Sequence, residues 1–513
     1  MDTIISEAND TMINQLNFGL PETSQYITDR RFVNYFPSGS NIYSASGGGN
    51  KNIRFYISGD SNQYLDLSSI RLFANIKNTD VSDRAKFLRP LGGLHAFMER
   101  YRATVGGQIV QDIDQYARHC QLYKSFKSKD VNEMDDIESS ANPSWDDDYH
   151  RYANGLDNFI RLNGNDPPDG VDVDPDADHN EWGRIGVRPT RHSLSGIPSN
   201  GQMRLGHKPV CGLCESNYYL PLRFAPLELE FTIVSDSNEP IVVPQGNGTT
   251  ETDANGYYFQ GGNTSVLWEI NNVIIRAEVI TLDNTVDNNI TKHLLEGQSL
   301  KLIVPQYHTL TQTFNAGGGE INMNIVKSAS KLSNAFITLY REKKQGTRYG
   351  QFLPDNYLHK RWNYFYNPMI NSEINDGFDG ALVEGQGFQD FTRNLSWQMQ
   401  VGNKKFPEFE CQSLAEAFYF LRRTIHYHNA DQNSLNISYK QYRENKFIIG
   451  VSFEKMADVN FTSINTKMGS LLTFKIKGTQ GALAPAEQIQ EIFTHLTSES
   501  VLELRESGAV VYD

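Results

Sequence analysis

YRATVGGQIVQDIDQYARHCQLY, residues 101–123, combines a strand, a glycine turn, a second strand and an abrupt helix. Apolar side chains alternate in its first part, as in a half-buried strand, and Gly106-Gly107 suits the positive φ angles of a tight hairpin. The pattern then changes to a helical period, with Asp114 as a plausible cap. The apolar positions of this helix are Tyr116, Cys120 and Tyr123.

The same succession occurs again in LSWQMQVGNKKFPEFECQSLAEAFYFLRRT, residues 395–424. Its first strand alternates in the same way, and its turn, Gly402-Asn403, also suits positive φ. Ser413-x-x-Glu416 matches a capping box at the start of the helix. The apolar positions follow helical spacing: Leu414, Ala417, Phe418, Leu421 and Ile425.

Further matches keep one order along the chain, and this order indicates a duplication. Three glycines and an alternating strand occur in residues 45–57 and again in residues 315–325. Two more pairs of alternating strands follow: 70–76 with 335–339, and 227–233 with 472–476. Each copy ends on a late apolar stretch. Elements that recur about 245 to 300 residues apart indicate duplicated domains rather than the short units of a solenoid.

Many short alternating strands, with turns rich in Gly, Asn, Asp and Pro, predict antiparallel sandwiches rather than βαβ units. We therefore expect an all-β protein of two tandem eight-stranded antiparallel jelly rolls, with short flanking helices and long inserted loops. The polar stretch 282–298 is interpreted as the connecting segment. The expected units are an N-terminal arm (1–26), a first roll (27–283, with an acidic insertion at about 128–205) and a second roll (284–513, with an insertion at about 341–394).

Composition restricts the classes of function. The formal charge is −14, from 61 acidic and 47 basic residues, and no predicted element carries a block of Lys or Arg. Because nucleic-acid binders neutralise phosphates with such residues, we expect no direct sequence-specific contact with nucleic acid. No run approaches the ~20 apolar residues of a membrane span. The N-terminal sequence lacks the pattern of a signal peptide, which predicts synthesis in the cytosol.

Four cysteines argue against a disulfide scaffold. Cys211 and Cys214, with His207 before them, could form half of a zinc site, but Cys120 and Cys411 stand alone in predicted helix contexts. We therefore favour a turn that holds two thiols, and we expect no resident metal. His426 and His428 lie two apart, as metal ligands can on a strand, but packing or a place at the helix C-terminus is favoured.

One acidic loop is a weak calcium candidate, through carboxylates at alternate positions: Asp172, Asp174, Asp176 and Asp178. An EF-hand would need Gly and Glu where Ala177 and Gly183 stand, so a solvated acidic loop is favoured. Glu228 and Glu230 could be a glycosidase pair, but the wet face of a strand explains them more simply. No hydrolase, P-loop or dinucleotide motif is present, which predicts neither an enzyme nor a cofactor.

Two aromatic clusters are candidates for contact with another subunit. The first lies in the second insertion: Trp362, Tyr364, Phe365 and Tyr366. The second, weaker one is Tyr257 and Tyr258. Such side chains are costly to expose, so they either pack on their own sandwich or anchor an interface between subunits. The sequence leaves both alternatives open.

YYLPLRFAPLELEFTIV (218–234), preceded by ATVGGQIVQDIDQYAR (103–118), resembles the double jelly-roll major capsid proteins of polinton-like viruses and virophages. The resemblance implies two jelly rolls standing side by side, with no active site. It also implies a homotrimer of pseudo-sixfold outline that tiles an icosahedral shell, with inserted loops on the outer face. The implied partners are neighbouring capsomers and minor capsid or penton proteins, and the implied location is the virion, after synthesis in the host cytosol.

A different class of function is the alternative: a tandem jelly-roll carbohydrate-binding protein or polysaccharide-active enzyme. In that interpretation the acidic loop holds calcium and exposed aromatic rings stack on sugars. Genome contact, in the capsid interpretation, is left to other proteins or to the arm, which lies outside the repeat and could point inward.

Overall fold

The computed structural model describes residues 26–512 with gaps. The larger gaps are 133–196, 242–263, 341–359, 369–395 and 478–488. The shorter gaps are 46–48, 61, 83–85, 89, 129–130, 315–319, 429–434, 436, 445, 457–461, 468–470 and 507.

The described residues of the first half form thirteen strands: β1 (Ile27–Tyr35), β2 (Ile42–Tyr43), β3 (Asn52–Ile57), β4 (Gln63–Asp66), β5 (Arg71–Asn78), β6 (Phe87–Leu88), β7 (Met98–Val105), β8 (Gln108–Asp114), β9 (Gln202–His207), β10 (Tyr219–Pro221), β11 (Leu227–Ile233), β12 (Thr264–Ser265) and β13 (Trp268–Leu282). Its helices are α1 (Tyr116–Lys124) and the single turn α2 (Gly212–Glu215). The described part of this half also includes two 3-10 turns, Leu67–Ser69 and Leu94–Phe97.

A helix, α3 (Asn284–Leu295), leads into the second half. The strands there are β14 (Leu300–Thr313), β15 (Glu320–Ile325), β16 (Leu332–Tyr340), β17 (Ser396–Val401), β18 (Lys404–Cys411), β19 (Ile448–Ser452), β20 (Leu472–Lys477), β21 (Glu491–Arg505) and β22 (Gly508–Tyr512). The helices are α4 (Leu414–His428) and α5 (Tyr439–Glu444).

Each half is a sandwich of two sheets, and the order of strands is the same in both. The first half has β1-β13-β5-β9 opposite β3-β11-β7-β8, and the second has β14-β21-β16-β19 opposite β15-β20-β17-β18. The eight principal strands of the two halves correspond one to one in this order. In addition, β13 pairs with β2 and β4, β4 pairs with β10, and β21 pairs with β22. The ladders within these sheets are antiparallel, which is the arrangement of a jelly roll. The predicted fold class is confirmed.

The repeated motif forms as the sequence predicts. β7 and β8 join through Gly106 and Gly107, with φ of 54° and 84°, and α1 follows at once. In the second copy Gly402 has a φ of 59°. Ser413 caps α4 as predicted, since Glu416 N–H donates to Ser413 Oγ, and the Glu416 carboxylate accepts from the N–H of Gln412, one residue before the cap.

Four details differ from the sequence predictions. Asp114 pairs with Arg100 instead of capping α1, which begins after Gln115 in a left-handed conformation without a side-chain cap. Asn403 lacks the positive φ of Gly402. Cys411 ends strand β18 rather than lying in a helix. The connecting segment forms α3, which Asp283 caps through a bond from Thr285 N–H.

The two rolls stand side by side and point the same way. The β7–β8 turn lies at one end of the first roll, where Ile57 and Val105 both pair with Leu227. A Cβ on Gly106 would lie 3.0 Å from the backbone nitrogen of Ala509, at the corresponding end of the second roll. We call this the turn end. The strands that are connected through the five larger gaps all have their connected ends at the opposite end, which we call the loop end.

Candidate assembly surfaces

The two rolls meet through unlike surfaces. The first roll contributes β8 and α1, which we call a helix edge, and the second roll contributes β14, β21 and β16, which we call a sheet edge. Burial shows the extent of this contact. Seven of the nine residues of α1 are buried, and eight of the nine residues of β16 are buried on both of its faces. Alternation in the sequence had predicted only one buried face for β16, because the second face is covered by a distant part of the chain.

Arg118 of α1 is the most deeply placed charge at this contact, with a fully buried side chain. Its Nε donates to Thr338 Oγ1 at 3.0 Å, Nη1 to the Tyr364 carbonyl at 3.0 Å, and Nη2 to the Leu339 carbonyl at 3.1 Å. Nη1 also donates to the Arg361 carbonyl. Burial holds the pKa of Arg118 below its usual value. One guanidinium thus fastens the first roll to four groups of the second.

The faces of the Arg118 guanidinium are covered as well as its edges. Its central carbon lies 4.8 Å from the ring centroid of Phe365 and 4.2 Å from that of Phe493. A desolvated cation over two rings adds cation–π attraction to the hydrogen bonds. The planar fork of arginine, unlike a lysine ammonium, can use its edge and both faces at once.

A second group of contacts joins β8 to β14 by side chains instead of a β-ladder. The Gln111 amide donates to the Tyr307 carbonyl at 2.6 Å, and Tyr307 N–H donates to Gln111 Oε1 at 3.3 Å. Tyr307 Oη donates to Glu215 of α2, and Tyr123 Oη lies 2.9 Å from Thr497 Oγ1. The side chain of Gln111 therefore bonds both backbone groups of Tyr307, as a neighbouring strand would, and so links β14 to the first roll.

The predicted aromatic cluster lies inside the chain. Trp362, Tyr364, Phe365 and Tyr366 are all buried. Trp362 Nε1 donates to the Glu239 carbonyl of the first roll, and its ring packs edge-on against His95. Of the two alternatives that the sequence left open, packing within the chain is the one observed for this cluster. These side chains are therefore covered and are not available to another subunit.

The cysteine pair is also packed into this region. Cys211 and Cys214 are buried and free, and Tyr101 Oη lies 3.3 Å from Cys211 Sγ. His207 bonds Tyr116 through Nε2 instead of facing the thiols as a third ligand. In the described ranges no three His, Cys, Asp or Glu side chains are grouped to hold a metal ion. The favoured interpretation, a turn with two thiols, fits this geometry.

Gly212, between the two cysteines, allows a close backbone approach between the rolls. A Cβ at this position would lie 1.9 Å from the carbonyl oxygen of Pro305 in β14. We expect Gly212→Ala to push β14 away and to cost about 1–3 kcal/mol of unfolding free energy, measured in urea. The matched control is Ser216→Ala, one residue beyond α2. If Gly212→Ala unfolds at the same urea concentration as the unaltered chain, this close approach is contradicted.

Two buried histidines face each other across the contact. The ring centroids of His119 in α1 and His495 in β21 are 6.0 Å apart, and both side chains are buried. Within the described part of the chain, neither ring nitrogen of His119 has a hydrogen-bond partner. Burial lowers the pKa of His119 to about 3 and holds that of His495 well below its ordinary value. Both rings are therefore neutral at pH 7.

The remaining sequence candidates fall elsewhere. Glu230 lies on the wet face of β11, as predicted, where it pairs with Arg54. His426 and His428 lie in the last turn of α4, not on a strand. The calcium candidates and the second aromatic cluster lie outside the described residues: Asp172, Asp174, Asp176, Asp178, Tyr257 and Tyr258. Among the described helices, none has both the length and the apolar character to cross a membrane.

Each roll also has an edge of the kind that its partner uses at this contact, and among the described residues these two remaining edges are largely exposed. The outermost strand at the sheet edge of the first roll is β1. Seven of its nine residues are exposed, and Phe32 is 67% exposed. The helix edge of the second roll is β18 with α4, where Phe409 is 83% and Tyr419 59% exposed. The corresponding surfaces of the other roll, β14 and β8 with α1, are buried where the two rolls meet inside the chain.

No protein-family model matches the sequence, and no curated protein matches it. Among solved structures, the chain is similar to PBCV-1 VP54, in a crystal structure fitted into a cryo-EM reconstruction of the virophage Sputnik, with a TM-score of 0.52, 10% identity, and coverage of 97% of this chain and 99% of that chain. It is similar to the quasi-atomic model of the PBCV-1 virus capsid to the same degree. The Faustovirus major capsid protein has a TM-score of 0.51 at 8% identity, with 98% of this chain and 94% of that chain covered.

These alignments run over nearly the full length of both chains and include both rolls. Identities of 8% to 10% carry information about the fold alone. The strand orders found here and the similarity to these capsid proteins agree. The chain therefore has the double jelly-roll fold of viral major capsid proteins.

Proposed function

We propose that this chain is a major capsid protein, a structural subunit of the virion without enzymatic activity. Three copies form a homotrimeric capsomer of pseudo-hexagonal outline, and many capsomers tile an icosahedral shell. The observation that supports this proposal most strongly is the contact between unlike edges within the chain. One copy of each edge is buried there, and the second copy of each edge is exposed.

A contact between unlike surfaces repeats from head to tail and closes into a ring when its rotation allows. Inside the chain, the helix edge of the first roll covers the sheet edge of the second. The free helix edge of the second roll can cover the free sheet edge of the first roll in the next chain. Three chains supply six rolls, and six equal steps of this kind close a ring.

The chemistry of the free edges supports their burial in an assembly. β1 is paired on one side only among the described residues, and an open edge strand normally needs protection from pairing. Exposed aromatic side chains on both edges, Phe32 on one and Phe409 and Tyr419 on the other, are typical anchors of interfaces. Arg422 and Arg423 of α4 are exposed beside Tyr419 and would form a polar rim.

The two ends of the molecule suggest its orientation in a shell. The strands connected through the five larger gaps have their connected ends at the loop end, and this end would form the outer face of the shell. The arm precedes β1 at the turn end and would point inward. Residues 27–283 and 284–513 would be the two units of the subunit. Neighbouring capsomers would contact the outer sides of the ring, and minor capsid or penton proteins would bind next to it.

Aspartate at the centre of a free edge should abolish the trimer. We expect Phe32→Asp and Phe409→Asp each to weaken subunit association by at least about 30-fold, because a charge replaces a buried aromatic anchor. The measurement is the molar mass by light scattering after gel filtration. The control is Val81→Asp, an equally exposed apolar residue away from both edges, which should leave the mass unchanged. Full trimer mass with Phe32→Asp and Phe409→Asp would contradict the proposal.

A further inference from the structure

The turn end of the second roll is rich in lysine. Three of its turns are residues 326–331, 402–405 and 453–471, and the β21–β22 turn at the same end adds one acidic residue, Glu506. The three turns carry six lysines, which we call the lysine end: Lys327, Lys331, Lys404, Lys405, Lys455 and Lys467. The only acidic residues in these three turns are Glu454 and Asp458. In a chain with a formal charge of −14, this concentration of positive charge predicts an acidic ligand.

Apolar side chains share this surface with the lysines. Ile325 and Val401 both pair with Leu472, which brings Val326, Leu471 and the β17–β18 turn side by side. Val326 is 82% exposed and Leu471 50% exposed. Thr466 Oγ1 donates to the Lys327 carbonyl, so the third turn lies against the first. The surface therefore suits a ligand with both acidic and apolar groups.

The first roll lacks such a surface at its own turn end. Its corresponding turns, residues 58–62, 106–107 and 208–226, carry two basic residues, Lys208 and Arg223, against two acidic ones, Asp60 and Glu215. The lysine end is thus a property of one roll and not of the fold. This difference also provides a matched control within the chain.

The arm, residues 1–26, has the complementary composition. It contains four acidic residues, Asp2, Glu7, Asp10 and Glu22, and no Lys or Arg. Apolar side chains are spread among them, including Ile4, Ile5, Met12, Ile13, Leu16, Phe18 and Leu20. The arm joins β1 at Ile27, which pairs with Leu282 at the turn end of the first roll. It therefore starts at the same end of the molecule as the lysines.

We propose that the arm of one subunit binds the lysine end of the neighbouring subunit and straps the trimer together from below. This inference rests on the proposed ring, in which β1 lies beside β18 of the next chain. Lys404 and Lys405 begin that β18, whereas the lysine end of the same chain lies beyond the whole first roll. An extended arm reaches at most about 85 Å, so both are within reach, but only the neighbour is adjacent.

Disulfide trapping tests the pairing in the full-length protein. The variant carries Asp10→Cys in the arm and Lys404→Cys in the lysine end, and the four native cysteines are buried. Copper phenanthroline supplies the oxidant. We expect covalent dimers and trimers on non-reducing gels. The control pair, Asp10→Cys with Arg223→Cys, places the second thiol on the turn end of the first roll and should link about tenfold less.

Charge reversal separates ionic recognition from mere proximity. Lys327→Glu, Lys405→Glu and Lys467→Glu together should lower the yield of trapping by about tenfold, since each surface pair contributes a small amount. Reversing Asp2, Glu7 and Glu22 to lysine in the same chain should restore most of it. Three results would each overturn the proposal. They are equal trapping at Lys404→Cys and Arg223→Cys, links formed only within one chain, and a trapping yield that charge reversal does not change.

The molar mass is measured in parallel and distinguishes two kinds of failure. A trimer without disulfide links through the arm overturns this inference and leaves the proposed function intact, whereas a monomer overturns both.

A different ligand at the lysine end can also be tested. If short duplex DNA or anionic phospholipid vesicles bind the full-length trimer as tightly as a trimer lacking the arm, the lysine end is open and the arm does not cover it. That result too would overturn the proposal.

Discussion

Arg118→Ala is expected to lower the unfolding free energy by about 3–5 kcal/mol, the cost of breaking a buried, hydrogen-bonded charge site. The substitution leaves the carbonyls of Leu339 and Tyr364 without their donor and opens a cavity between two aromatic rings. Because these groups belong to the second roll and the arginine to the first, the loss falls on the contact between the rolls. Urea unfolding followed by tryptophan fluorescence measures it.

Two further variants show what Arg118 contributes. Arg118→Lys keeps the charge but cannot bond four groups, so we expect an intermediate loss. Arg102→Ala removes an arginine from the partly exposed pair with Asp112 and should cost about 1 kcal/mol or less. If Arg118→Ala is no more destabilising than Arg102→Ala, the guanidinium does not hold the two rolls together.

Acid is expected to destabilise the chain below pH 6.5, through the buried histidines. In the unfolded chain a histidine binds a proton near pH 6.5, whereas the folded-state pKa of His119 is about 3. The unfolded state therefore takes up protons first, and stability is lost as the pH falls through this window. His119 alone should account for about 2 kcal/mol between pH 7 and pH 5.

The groups that face His119 determine how sharp this loss is. Lys127 disfavours the imidazolium and Glu215 favours it, while the nearby His495 has its own pKa lowered by burial, by His119 and by Arg118. Replacing His119 with Phe keeps a ring and removes the titration. The difference in unfolding free energy between pH 7 and pH 5 should then shrink by about 2 kcal/mol. An unchanged pH dependence in His119→Phe would show that this histidine is not the group that titrates.

Local pattern was enough to predict the duplicated unit. Alternation set the strands, glycine marked the hairpin turns, and Ser413 with Glu416 marked the start of α4. These features depend on residues close in sequence, where period and capping chemistry act directly. The helix α3 was missed because its residues are mostly polar and only Asp287 and Leu294 are buried. A polar helix gives little periodic signal.

The surface between the rolls could not be predicted in the same way. Arg118 lies in a helix whose apolar face already accounts for its packing on the first roll, and the sequence does not show that a second roll covers the other face. The full burial of β16 has the same origin. Asp114 had the chemistry of a cap, yet Arg100, placed opposite by the hairpin, binds it instead. One feature of the sequence could have indicated this contact: the charged Arg118 lies between the apolar positions Tyr116 and Cys120 of α1.

The molar mass and the outline of the purified protein test the central claim most directly. That claim is that the contact between unlike edges repeats from chain to chain and closes a ring of three chains. We predict a molar mass of three times 58.1 kDa by light scattering, with six-lobed hexagonal blocks in negative-stain micrographs. A single chain of 58.1 kDa at all salt concentrations, or an assembly with twofold symmetry, would contradict the account.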